Sequence, residues 1–289
     1  MPGVCRASQC PTLPANVAPT IQWTFEPSVL IGVAALAVLY LIGWRRGRGA
    51  RDGRDPSPHR PGYGRLALFA SGLAVILAAL VSPIDGLGDQ LLVMHMVQHI
   101  LLLDIAPILL ILGLNKVLLR PVTRRVQSLE RRAGLLAHPA FAVACYVGFM
   151  WAWHIPAMYD AALHNTTVHA FEHLCFSAAG TLYWWHLLSP LRNRHRLSGL
   201  GPVAYMVSTK LLVGLLGIVL AFAPASLYPF YQHHPHYWGL SPSEDQSMAG
   251  LVMALEQSIV MGVALVIVFT QMLTESEREA RRQERFEVV

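Results

Sequence analysis

The 289-residue chain is 54% hydrophobic and 13% charged, where soluble domains carry about 25% charged residues, and its mean hydropathy is +0.44; an ordinary water-soluble globule is excluded and a protein built into lipid is expected. The formal charge of +5 does not point to nucleic acid, because Lys and Arg of membrane proteins collect in cytoplasmic loops and no RNP-like, zinc-finger or basic-helix pattern is present. Four scattered cysteines exclude a disulfide framework.

In chain order, the first twenty residues contain Pro2, Pro11, Pro14 and Pro19 but no continuous apolar run, so no cleavable signal peptide is expected and the first apolar segment serves as an uncleaved anchor. Cys5 and Cys10 in this tail could hold Cu(I), form a disulfide or be incidental. A spanning helix needs about 20 mostly apolar residues. Seven stretches meet or approach this: residues 27–44, 66–82, 91–114, 140–153, 168–188, 203–222 and 248–273. Trp151, Trp153, Trp184 and Trp185 stand at segment ends, as interfacial aromatics do.

Basic residues orient these segments. Arg45, Arg46, Arg48, Arg51, Arg54, Arg60 and Arg65 follow the first; Lys116, Arg120, Arg124, Arg125, Arg131 and Arg132 follow the third. Arg192, Arg194 and Arg196 follow the fifth, and Arg278, Arg281, Arg282 and Arg285 follow the seventh. Twenty of the 22 Lys and Arg thus lie on alternate connections, which places the N-terminus outside and the C-terminus in the cytoplasm. The expected fold is an all-α polytopic integral membrane bundle of seven transmembrane helices. Residues 1–26 form an outer tail, 27–273 the membrane domain, and 274–289 a cytoplasmic tail expected to extend the last helix through i,i+4 ion pairs. The Arg-rich loop from Arg45 to Arg65 reads as a solvated connection held by anionic lipid.

On this topology nine of the thirteen histidines lie toward the outer side: His95, His99, His154, His164, His169, His173, His233, His234 and His236; His59, His138, His186 and His195 lie toward the cytoplasm. His95/His99 and His169/His173 are four residues apart, so each pair projects from one helical face. With His154 nearby, these imidazoles could converge on a metal or proton site, and Asp85, Asp89, Asp104, Glu172 and Asp245 could orient them. Ionisable groups at membrane depth usually face a bundle interior or polar path. A histidine taken singly could equally pair with water or a carbonyl. Imidazole suits copper, zinc, iron and nickel, and thioether sulfur favours Cu(I); of Met94, Met96, Met158, Met248 and Met253, the first and Met248 are the ligand candidates. The outer loop with His233, His234 and His236 could bind metal or cap the bundle.

The segments "HMVQHILLLDIAPILLILG", "WHIPAMYDAAL", "HAFEHLCFSAAGTLYWW" and "LSPSEDQSMAGLVM" resemble, in order, the motifs of the CtaG-type cytochrome c oxidase assembly factors, bacterial seven-helix membrane proteins. The resemblance covers the chain from about residue 27 to 273. It implies a non-enzymatic role in a bacterial plasma membrane, maturing a haem-copper oxidase by binding copper transiently and delivering it from the outer face. The implied partners are cytochrome c oxidase subunits, other copper chaperones and membrane lipid. Matched positions are His95, His99, His154, His169, Glu172, His173, Asp245 and Gln246. Three other readings stay open: a b-type haem oxidoreductase with axial histidines, a metal-free assembly scaffold, and a copper permease.

Overall fold

A computed structural model describes residues 15–49, 62–191 and 197–287. Cys5, Cys10, His59, His195, the central part of the Arg45 to Arg65 loop and Arg192, Arg194 and Arg196 lie outside the described residues. Each of the seven apolar stretches forms a long helix: α1 Pro27–Gly49, α2 Tyr63–Leu80, α3 Leu92–Gly113, α4 Pro139–Trp153, α5 Thr166–Leu188, α6 Gly201–Ala221 and α7 Pro242–Glu287. The described fold is all-helical apart from a two-stranded pairing of Ala15–Val17 with His236–Tyr237.

Five of these helices, α1, α2, α3, α6 and α7, are long and apolar enough to cross a membrane. The other two fall short for different reasons. α4 has 15 residues, about 22 Å of helix against a hydrocarbon core of about 30 Å, and the helical segment before it, Thr123–Ala137, meets it at a 64° bend. α5 has length to spare, but His169, Glu172, His173 and His186 lower its hydropathy. Large apolar side chains remain exposed along α1, α6 and α7, among them Leu39, Leu211 and Ile259, as lipid-facing surfaces require.

Small residues set how closely the helices pack. A Cβ at Gly250 on α7 would stand 2.5 Å from the Gly217 carbonyl of α6, so these two backbones touch, as small-residue interfaces in membranes allow. α3 carries a π-helical turn at Leu101–Ile105. Its cause is two residues on: Pro107 has no N–H to give the Leu103 carbonyl, and Ala106 N donates instead to Leu101, five residues back. The Leu103 peptide then presses on α5 at Gly180, where a Cβ would lie 2.7 Å from the Leu103 carbonyl carbon. Only glycine permits this approach, and it locks α3 against α5 just below the histidines.

Basic side chains gather at one end of the bundle. Arg65 donates to the carbonyls of Leu112 and Leu114 at the end of α3, and Arg48 lies 4.8 Å from the Trp44 ring and 4.4 Å from that of Tyr63. At the opposite end, the Asp245 carboxylate on α7 accepts from the backbone N–H groups of Leu92 (2.6 Å) and Val93 (3.1 Å). These are among the N–H groups a helix start leaves without intrahelical partners, so a neighbouring helix supplies the cap. The N-terminal segment crosses this end through Thr20–Gln90 and Thr24–Asp85 hydrogen bonds.

Candidate metal centre

The two histidine pairs point at each other. His95 and His99 on α3 and His169 and His173 on α5 form a cluster in which the His95 ring stacks on His169 at 5.1 Å and 18°. His95–His99 centroids are 4.3 Å apart, His169–His173 4.2 Å and His99–His173 5.6 Å. Helical spacing supplies each pair; the contact locked at Gly180 brings the pairs together. Glu172, fully buried, completes the group, with carboxylate oxygens 3.8 Å from His95 Nε2 and 3.5 Å from His99 Nε2.

One donor atom each from His95, His169, Glu172 and His173 lies within 4.8 Å of all the others. Their hydrogen-bonding capacity is not used inside the protein: both ring nitrogens of His95 and of His99, Nε2 of His169 and His173, and both Glu172 oxygens are buried without a hydrogen-bond partner. Orphaned buried donors and acceptors cost about 1–3 kcal/mol each. Three imidazoles and one carboxylate converging in this way make a donor set of the kind that holds a borderline transition-metal ion. Tyr159 packs on His95 at 5.1 Å and Phe176 on His99 at 4.4 Å, so one flank of the cluster is aromatic.

The remaining predicted site residues occupy other positions. His154, the C-cap of α4, stands beside the cluster, 6.1 Å from the His99 ring, with Nδ1 against the Met150 carbonyl at 2.6 Å and Nε2 against Met96 Sδ at 3.2 Å. Asp104 makes its hydrogen bonds to side chains other than the imidazoles. It accepts from Tyr146 Oη (2.7 Å) and Trp184 Nε1 (2.6 Å) and is hydrogen-bonded to Glu256, in a buried network that Gln257 joins through Tyr146. Asp245 caps α3, as described. Met94 is partly buried in the main core, and Met248 is 44% exposed on α7. His233, His234 and His236 stay outside the cluster; His234 packs on Phe230 at 4.6 Å.

Sequence reasoning passed over Tyr159, Tyr146, Glu256 and Gln257, and preferred Met94 to Met96; it set Trp153 and Trp184 among interfacial aromatics, whereas both are buried and Trp184 donates to Asp104. The choice of methionine had a usable signal: at 100° per residue Met96 lies about 60° from His99 around α3, and Met94 about 140°. Gln98 has a structural part, donating to the Ala79 carbonyl (2.9 Å) and to Asp85 (2.7 Å), which ties α3 to the turn after α2.

Uncharacterised proteins of Mycobacterium bovis and Mycobacterium tuberculosis are each 24% identical to the chain, and one of Mycobacterium leprae is 20% identical, with 91% of this chain and 41% of each relative aligned. The chain thus spans about two-fifths of the length of these curated relatives. No solved structure matches it. The family model for the cytochrome c oxidase caa3 assembly factor matches residues 38–275, a stretch that contains the four histidines, Glu172 and the helices that position them: the chain belongs to the Caa3_CtaG family of cytochrome c oxidase assembly factors.

Proposed function

We propose that this assembly factor binds copper at the His95, His169, Glu172 and His173 cluster, with His99 alongside, and passes it to an oxidase subunit at the outer face of the bacterial plasma membrane. The topology that goes with this reading is seven spans, with the N-terminus outside. The observation that carries it is the convergence of four donors from two helices with their lone pairs and N–H groups otherwise unpartnered.

Ligand atoms on a tetrahedral ion bonded at about 2.0–2.1 Å stand about 3.4 Å apart. A spread of up to 4.8 Å is looser than a closed structural cage, which suits cargo that must leave again. The short distances among the rings speak against axial haem ligation: imidazoles with centroids 4.2–5.1 Å apart leave no slot for a porphyrin between them. Copper analysis of purified wild type against a variant with His95, His99, His169 and His173 all changed to alanine tests the reading. Wild type is expected to retain about one copper more than the variant; equal copper in both would remove the cluster as a copper site, and no copper in either would leave the metal-free scaffold as the better account.

A further inference from the structure

Below the cluster, on the side of the π turn, a small internal cavity is lined by Met96, His99, Asp104, Met150, Met253 and Glu256. It admits about one water-sized particle. All three methionine side chains are buried, and each comes from a different helix, α3, α4 and α7. His154 sets the chemistry beside them. A carbonyl oxygen can only accept, so the contact with Met150 O at 2.6 Å places the proton of the His154 ring on Nδ1. In the neutral ring Nε2 is then a bare lone pair, and it faces the Met96 sulfur at 3.2 Å. A thioether has no hydrogen to offer. A doubly protonated ring would need a counter-charge, and its two nitrogens meet a carbonyl and a thioether, neither of them an anion. Two lone-pair atoms held this close are what a soft cation between them would bring together: with bonds of about 2.0 Å to nitrogen and 2.3 Å to sulfur, a 3.2 Å separation closes at an angle of about 95°.

The geometry points to a second metal site, a mixed imidazole–thioether site for Cu(I) formed by His154 and Met96, with Met150 and Met253 as the other sulfur donors, distinct from the His95, His169, Glu172 and His173 set. Sulfur ligands select Cu(I), whereas imidazole and carboxylate also accept Cu(II) and Zn(II). The two sites therefore differ in softness and lie on either side of His99, which belongs to the cluster and lines the cavity. This inference rests on the copper-handling reading for the identity of the ion, but not for the existence of the site.

The test loads full-length detergent-solubilised protein with Cu(I) under ascorbate, measures affinity against a competing Cu(I) chelator, and records copper-edge X-ray absorption. Wild type is expected to show sulfur scattering. Met96→Leu, close in volume and so tolerable in a core, should lower the sulfur coordination number and weaken Cu(I) binding by at least about tenfold, while Met96→Cys, which restores a soft donor, should recover both. The variant His169→Ala/Glu172→Gln/His173→Ala should keep the sulfur-ligated Cu(I). Sulfur scattering absent from wild type, or unchanged in Met96→Leu, overturns the second site. Loss of sulfur-ligated Cu(I) in the triple variant overturns it too, because the chain would then hold one shared site. If sulfur-ligated Cu(I) persists but the upper cluster takes up no metal, the second site stands and the function proposed for the cluster fails.

Discussion

Gly180→Ala is the most informative single change. The added Cβ would lie 2.7 Å from the Leu103 carbonyl carbon and 3.0 Å from its Cα, where normal carbon contacts are about 3.5–4.0 Å. The atoms opposite are backbone, with the Leu103 carbonyl oxygen nearest of all, so no side chain can rotate away, and α3 and α5 must part by at least about 1 Å. Overpacking of this kind costs about 1–3 kcal/mol and sometimes more. The same displacement moves His95 and His99 away from His169, Glu172 and His173, whose donors already spread over 4.8 Å, while metal bonds tolerate only about 0.2 Å. Gly180→Ala should therefore lower the melting temperature in detergent and reduce copper retention together. Gly148→Ala is the control, since nothing lies within 4 Å of a Cβ there; alanine for helical glycine at an open position should be neutral or stabilising by about 0.5–1 kcal/mol. If Gly180→Ala melted and bound copper like Gly148→Ala, the close approach of the π turn to α5 would not be what assembles the cluster.

Asp245→Ala removes a carboxylate that serves two buried N–H groups of α3; hydrogen bonds to charged groups contribute about 1.5–3 kcal/mol, so thermal unfolding should shift down clearly, with the largest gain in hydrogen exchange at Leu92 and Val93. Asp89, in the turn between α2 and α3, has its carboxyl raised to about 6, first because burial strips water from its charged form and then by the Asp85 carboxylate. Protonation is thus favoured in the folded state, the stabilisation is complete below the unfolded value near 4 and is lost as pH rises through about 6. Melting scans should show this decline between pH 4 and 6 in wild type and a flatter profile in Asp89→Asn.

The helical stretches and the placing of each histidine pair on one face of its helix were legible because each rests on a local rule: apolar run length for the helices, and i,i+4 spacing for His95/His99 and His169/His173; that the two faces meet was not legible. What escaped depends on contacts between distant segments. Asp104, five residues after His99, would lie about 140° from it around an ideal helix, so spacing alone does not make it a partner of the imidazoles. Its partners are Tyr146, Trp184 and Glu256, which come from three other helices. Asp245 is separated from the Leu92 N–H it caps by 153 positions, and no sequence spacing predicts such a pairing. The partner of His154 was missed for a related reason. Met96 was among the outer methionines, but height along the segment was weighed instead of rotation about it.

The first helix is a different kind of component from the rest. About 6% of its span is buried against other parts of the chain, and its contacts among the described residues include Tyr40 stacked on Phe69, a hydroxyl bond from Tyr40 to the Gly113 carbonyl, Trp44 against the Tyr63 ring, and Arg48 over that same ring. Solvation by acyl chains must therefore do for this helix what interior packing does for its neighbours, and its docking free energy becomes a property of the bilayer as much as of the polypeptide. A thinner or more disordered lipid phase would release it first, leaving the helices that carry the histidines closed upon one another.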